Sequence, residues 1–388
     1  MIHDPFFLII FLLIIESAIL WISKKPRFKK YFSFLPPVFW MYFLPMLASS
    51  AGLIDPKSGV YSRISTYLLP ASLVLLLLSS DIKAIMKLGR PALLMMFAGS
   101  LGIMVGVPFV FFLMKPFVGG ETWSGFGALS GSWIGGSANM IAVREALGTP
   151  DSVFSPMVVV DTVVPYVWMG ILVTIANFQP VFDKWNRSDK KILHELQQKI
   201  SGVEIGKFRG FKRDKILAIF MVAVSGVILS QLAGTFLPTV KDVLSPYSWA
   251  IIIASCFGIL LSFTPLKKLE NSRASRIGYF LLYFVLTSIG AKASIVNIGS
   301  TALLILAGFL IVLIHAIFLL AIARMIKAPM FLVAAASQAN IGGVASAPIV
   351  AEIYQPGFAS VGLLLAILGN ILGTYFGILI GHICHLLS

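Results

Sequence analysis

Charge is scarce in this chain. Asp, Glu, Lys and Arg make up only 12% of its 388 residues, against about a quarter in an ordinary soluble domain. Set beside 58% hydrophobic residues and a mean hydropathy of +0.94, that shortage excludes a soluble enzyme, a nucleic-acid-binding domain and a disordered chain. Acid is scarcer than base, with 16 Asp and Glu against 30 Lys and Arg and a net charge of +14. In a polytopic membrane protein such an excess marks basic cytoplasmic loops rather than a nucleic-acid partner. Cysteine is nearly absent: Cys256 and Cys384 both lie in apolar stretches, which excludes a disulfide framework. With no clustered histidines, no metal site or cofactor is expected either. No P-loop is present, so a primary pump is excluded. The start, Met-Ile-His-Asp-Pro, lacks the basic region and cleavage site of a signal peptide, so the first apolar stretch reads as a retained helix.

What remains is apolar sequence, enough for about ten crossings at roughly 20 residues each. Ten long apolar segments stand at 6–23, 32–54, 64–80, 92–114, 153–176, 215–236, 247–264, 277–297, 300–323 and 358–383. Two more, 125–147 and 328–352, are apolar but crowded with Gly, Ser, Ala and Asn. Charge distribution says whether these two cross. If they enter and return on one side, and the Lys24–Lys30 stretch is cytoplasmic, 24 basic residues fall inside and 6 outside; if they cross, the split is 11 to 19. Cytoplasmic loops carry the excess of Lys and Arg, so both are expected to be re-entrant or broken helices, with both termini outside. The expected fold is an all-α polytopic membrane protein of about ten transmembrane helices plus these two segments, placed in the plasma (inner) membrane. The polar stretch 177–214 carries Ile192, Leu193, Leu196 and Ile200 at helical spacing. It reads either as an amphipathic helix on the cytoplasmic surface or as a solvated linker.

A shift of 207 residues aligns the chain with itself. Ile134-Gly135-Gly136 falls on Ile341-Gly342-Gly343, Ala138 on Ala345, Val143 on Val350 and Glu145 on Glu352, six identities in twelve positions. The same shift matches Gly170-Ile171-Leu172 to Gly377-Ile378-Leu379. The chain therefore divides into a first repeat (1–176), a linker (177–214) and a second repeat (215–388). Five crossings per half make the two repeats inverted in topology. Interrupted Gly-rich segments at matching positions of inverted repeats point to a secondary transporter's binding site. Backbone that leaves its helix in hydrocarbon is tolerated where it lines a cavity or faces a ligand. The candidate binding residues are Ser132, Gly135, Gly136, Ser137 and Asn139 in the first segment, and Gln338, Asn340, Gly342, Gly343 and Ser346 in the second. Hydroxyl and amide groups beside open backbone suit a neutral or anionic solute and a sodium ion. The competing reading is helix packing, since Gly131-xxx-Gly135 is a small-xxx-small contact motif.

Asp161 lies in Val158-Val159-Val160-Asp161-Thr162-Val163-Val164-Pro165, mid-way along an apolar segment. A carboxylate at that depth costs about 2.5–3.5 kcal/mol on insertion scales and is functional by default. Asn370 occupies a comparable depth in the second half, and Lys292 is the candidate partner of Asp161. These three form the expected coupling set, the alternative for Lys292 being a side chain snorkelling to the surface. Glu145 and Glu352 either gate the interrupted segments or mark their return to water. Glu16 sits mid-way along the first helix with no evident partner, and His315 reads as a packed polar residue rather than a proton relay.

Gly135-Gly136-Ser137-Ala138-Asn139-Met140, and Asn340-Ile341-Gly342-Gly343 followed by Ala347-Pro348, resemble the YjcL-like membrane family, known as domain of unknown function 819. The resemblance covers nearly the whole chain and implies no particular substrate. More distantly the layout is similar to the cation–proton antiporter and anion transporter superfamily. That likeness implies a scaffold domain and a moving core domain working as an elevator, with an acidic residue on the fifth helix facing a lysine on the third helix of the second repeat. Asp161 and Lys292 fall on those helices. The antiporters commonly carry two adjacent polar or acidic residues, whereas Val160 and Thr162 flank Asp161 here. The expectation is therefore a secondary active transporter and not an enzyme, coupled to sodium or protons and moving a small solute such as an organic anion. The alternative is a monovalent cation/proton antiporter. An intramembrane hydrolase has neither GxSxG nor HExxH to support it, His194-Glu195 being followed by Leu-Gln-Gln. A channel needs neither a buried Asp–Lys pair nor an inverted repeat. The expected partners are the substrate, the lipid bilayer and, as the resembling families imply, a second copy in a homodimer.

Overall fold

The computed structural model describes residues 1–28, 31–32, 37–200, 213–239, 245–293 and 301–388. Residues 201–212 of the linker, and Lys241, lie outside them. The described residues form helices and no strand, apart from one bridge between Ile2 and Ile54. In chain order the helices are α1 (Pro5–Ile22), α2 (Pro37–Ser50), α3 (Val60–Leu78), α4 (Ile82–Lys87), α5 (Arg90–Val118), α6 (Trp123–Gly135), α7 (Ser137–Leu147), α8 (Asp151–Ile175), α9 (Gln179–Asn186), α10 (Lys190–Ile200), α11 (Arg213–Phe236), α12 (Pro246–Ser262), α13 (Ala274–Lys292), α14 (Thr301–Ile326), α15 (Met330–Ile341), α16 (Gly343–Tyr354) and α17 (Ala359–Leu387). Among the described residues, eight spans are long and apolar enough to cross a bilayer, α8 and α9 counting as one. Together with the shorter α2 and α12 they account for the ten long apolar segments of the sequence. An all-helical fold is what lipid demands, because a helix satisfies its own backbone hydrogen bonds where no water can. This is an all-α, multi-pass membrane protein.

Local chemistry sets the helix ends. Asp4 caps α1, its carboxylate accepting from Phe6 N at 2.9 Å and Phe7 N at 3.2 Å, with Pro5 at the first helical position, where no N–H is needed. Ser245 and Ser248 form a reciprocal capping box at the start of α12. Asp183 of α9 accepts from Met330 N at 2.8 Å, and the Asn186 amide donates to Ala328 O at 2.8 Å. The linker thus supplies caps at the entry to α15. Its α10 is amphipathic as expected, and its apolar face is not left on a surface: Leu196 is buried, with Ile192 and Leu193 packed beside it, in a core that includes Leu319, Ala323 and Phe331.

The chain divides into two compact units. One comprises residues 1–79, 144–162 and 208–302; the other comprises 80–143, 163–207 and 303–388. Each draws on both halves of the sequence. The first is built on α3, where Ala71, Val74, Leu75 and Leu78 meet Ile219, Val222 and Ala223 of α11 and Ala254 of α12. The second is built around α6 and α15. Every residue of α15, and all of α6 after Trp123, is buried. Burying Leu against Leu gains little when the solvent is lipid, so close approach of small residues must do the holding. Accordingly Gly131 and Gly135 of α6 lie against Gly377 and Gly373 of α17, backbone to backbone. Gly131-xxx-Gly135 thus forms a small-xxx-small contact with α17.

Candidate functional site

The two Gly-rich segments are hairpins, and all but residues 144–147 of them belong to the second unit. α6 ends at Gly136, where φ is +83°, and α16 begins at Gly343, where φ is +60°; both are left-handed conformations that glycine adopts without penalty. A straight helix would separate Gly131 from Val143 by about 18 Å at 1.5 Å per residue. Yet a Cβ on Gly131 would lie 2.8 Å from Val143 Cγ2, so α7 folds back along α6. Likewise the rings of Phe331, near the start of α15, and Phe358, just beyond α16, are 5.1 Å apart. Each segment enters and leaves at the same level, as re-entrant segments do.

α17, about 43 Å long by its 29 residues, serves as a ruler for both hairpins. The base of the first lies at one end, with Trp123 and His385 rings 4.5 Å apart, and its tip reaches Gly369. The base of the second lies beside Phe358 at the other end, and its α16 passes Gly362 at Ala347 and Ala351. The hairpins therefore approach from opposite ends and meet near the middle of α17. There a Cβ on Gly343 would sit 3.6 Å from Gly136 Cα, and the Asn370 amide oxygen lies 3.3 Å from where a Cβ on Gly136 would be.

The polar groups at this meeting point divide into satisfied and unsatisfied. In the first hairpin the Asn139 amide donates to Gly135 O at 2.6 Å and its oxygen accepts from Thr374 Oγ1 at 2.5 Å. The Ser132 carbonyl accepts from Gly136 N. In the second, the Gln338 amide donates to Ser346 Oγ at 2.7 Å across the turn at Gly342, while its own oxygen is buried and has no partner among the described residues. Asn340 points elsewhere, toward α5: its amide donates to Ser100 Oγ at 3.0 Å, and its buried oxygen is likewise unpartnered among the described residues. Trp133 Nε1 of the first hairpin is a buried donor without an acceptor among those residues. His315 is a packed polar residue, bonded through Nδ1 to Gly99 O at 2.8 Å and through Nε2 to Ser337 Oγ at 3.0 Å, and Trp168 Nε1 donates to that same hydroxyl at 2.8 Å.

Gly135, Gly136, Asn139, Asn370, Gln338, Gly342, Gly343 and Ser346 are thus brought together, with Ser137 half-buried at the start of α7. The remaining candidates lie elsewhere. Asp161 and Lys292 belong to the first unit, Asn370 to the second. Lys292 lines a hollow of about 260 Å³ with Arg144, Glu145, Thr149 and Asp151. Asp161 is ten residues beyond Asp151 in α8, about 15 Å along its axis. Arg144, 5% exposed, pairs with Glu145 and with Asp151 at 2.5 Å and lies over the Phe154 ring. Glu352 accepts from Gly357 N at 3.0 Å and Ala359 N at 3.2 Å, closing the turn into α17. Thr374 and Asp151 are participants that the sequence reading did not single out. Thr374 had a visible signal, standing four residues after Asn370 on the same helical face.

Residues 10–387 match the family described as Protein of unknown function (DUF819). The chain belongs to this family. It is also 24% identical over 349 residues, covering 86% of each chain, to "Uncharacterized membrane protein YjcL" of Bacillus subtilis (strain 168). Both motifs that carried the resemblance, around Gly135-Gly136 and Gly342-Gly343, fall at the hairpin tips of this DUF819 protein.

Proposed function

We propose that this protein is a secondary active transporter that moves a small solute, an organic anion, coupled to sodium or protons. The observation that carries this reading is the meeting of two re-entrant tips, from opposite ends of α17, beside the unpartnered oxygen of Gln338. Paired interrupted helices near the bilayer midplane are where secondary transporters hold solute and coupling ion. Gln338 Oε1 is an acceptor in want of a cation, and Trp133 Nε1 is a donor in want of an anion. A buried polar group without a partner costs about 1–3 kcal/mol, which a bound ion would offset. One compact unit holding both hairpin tips suits an elevator-type alternating access. Coupling is assigned to Asp161 with Lys292 and Asn370; α8 carries Asp161 and continues to Trp168, which bonds to Ser337 of α15. On this reading the protein is not an enzyme, and it sits in the cell membrane with both termini outside. A monovalent cation/proton antiporter is the second reading, favoured by Asp161 and Lys292 lying in one unit.

Purified protein is expected to melt at higher temperature in sodium than in choline, since a ligand bound to the folded state stabilises it by mass action. In proteoliposomes, Asp161→Asn is expected to abolish gradient-driven flux while leaving the melting temperature unchanged. If no panel of anions, sodium or pH gradients moves solute or shifts melting, the transport reading falls; if Asp161→Asn transports normally, Asp161 is not the coupling group.

A further inference from the structure

Glu16 lies mid-way along α1, is fully buried, and has no hydrogen-bond partner for either carboxyl oxygen among the described residues. It is the one ionisable side chain between residues 5 and 22. α2 and α13 pack on α1. The titratable group of α2 is Tyr42, whose hydroxyl is taken up by Ser155 at 2.6 Å. α13 brings Arg276, Tyr279, Tyr283 and Lys292, of which Tyr283 is within electrostatic reach of Glu16. Arg276 and Lys292 are seven and nine residues from Tyr283, about 10 and 13 Å along the axis. Neither forms an ion pair with Glu16.

An ionised carboxylate in such a place would have no hydrogen-bond donor and no countercharge among the described residues. Buried acids survive as anions when paired or when they ligate a metal, and otherwise become neutral. A metal cation would need several oxygens around it, and the two here stand alone. Nor is Glu16 explained as filler, since a leucine would fill the same space in α1 without a polar group to desolvate. We propose that Glu16 is a proton-binding site: at neutral pH the folded protein holds a proton on this carboxyl. The site belongs to the first unit. This inference does not rest on the transport reading, because the state of the carboxyl can be read whether or not any solute moves.

Infrared difference spectra of reconstituted wild type against Glu16→Gln at neutral pH provide the test. The expected result is loss of one protonated-carboxyl C=O band in the variant; loss of carboxylate bands instead would overturn the proposal. Should Glu16→Gln fail to fold, Glu16→Asp keeps the carboxyl and is expected to shift that band, and an unshifted band would assign it to another residue and refute the claim. Because the folded state then binds a proton that the unfolded chain releases, raising the pH is expected to lower the melting temperature of the wild type more than that of Glu16→Gln. Equal slopes would also count against it.

Discussion

The two hairpins match in sequence and in entry geometry but differ in how their polar groups are used. In the first, Asn139 is spent on the structure itself, bonded to Gly135 O and Thr374. In the second, Gln338 and Asn340 each use their amide nitrogens and leave buried oxygens unpartnered. A duplicated element can divide labour in this way: the amide of the first copy is closed on its own scaffold, and the amides of the second keep open acceptors. The first copy also rests on a glycine seam, the backbone contact of Gly131 and Gly135 with Gly377 and Gly373.

The largest effect is expected at that seam, and the repeat supplies its own control. A Cβ on Gly377 would meet Val143 Cγ2 at 2.6 Å and Gly131 Cα at 2.9 Å, whereas its repeat equivalent Gly170 has nothing within 4 Å. Gly377→Leu is expected to cost about 3 kcal/mol or more, as overpacking against backbone does. Gly170→Leu should stay within about 0.5 kcal/mol of wild type, like a surface change. Thermal unfolding in one detergent checks both. Equal losses would mean that the first hairpin is not held by the glycine seam.

Much of this arrangement was legible in the sequence because it is local. Long apolar runs give helices and glycine pairs give turns, so the ten segments and the two interruptions could be read without a fold. Partners distant in sequence could not. Arg144 and Asp151 pair across the turn between α7 and α8, Lys292 joins their hollow from 141 residues away, and Ser337 collects His315 and Trp168 from two other helices. The linker showed its amphipathic pattern plainly, yet nothing in that pattern said that α10 would dock into a protein core or that Asp183 would cap α15.

The next effect separates the two amides. Asn139→Ala leaves the Gly135 carbonyl and the Thr374 hydroxyl without their partner, and is expected to cost about 2 kcal/mol while sodium still raises the melting temperature. Gln338→Ala removes one bond, to Ser346, and with it an acceptor that was never satisfied. Its stability is expected to fall by only about 1 kcal/mol, with the sodium response lost. The same melting experiment with and without sodium reads both variants. If Asn139→Ala loses the response and Gln338→Ala keeps it, the roles of the two hairpins are exchanged.

The smallest effect is expected at Glu352. Its counterpart Glu145 is paired with a nearly buried arginine, whereas Glu352 is exposed and accepts from Gly357 N and Ala359 N where α17 begins. A carboxylate at a helix N-terminus contributes about 0.3–1 kcal/mol through the helix dipole. Glu352→Gln keeps an acceptor and gives up the charge, so it should lower stability by a few tenths of a kcal/mol on that scale and leave flux in proteoliposomes unaltered. Loss of flux with unaltered melting would instead make Glu352 the gate of the second hairpin. The second copy would then carry a moving part as well as open acceptors, and the division of labour between the hairpins would be sharper still.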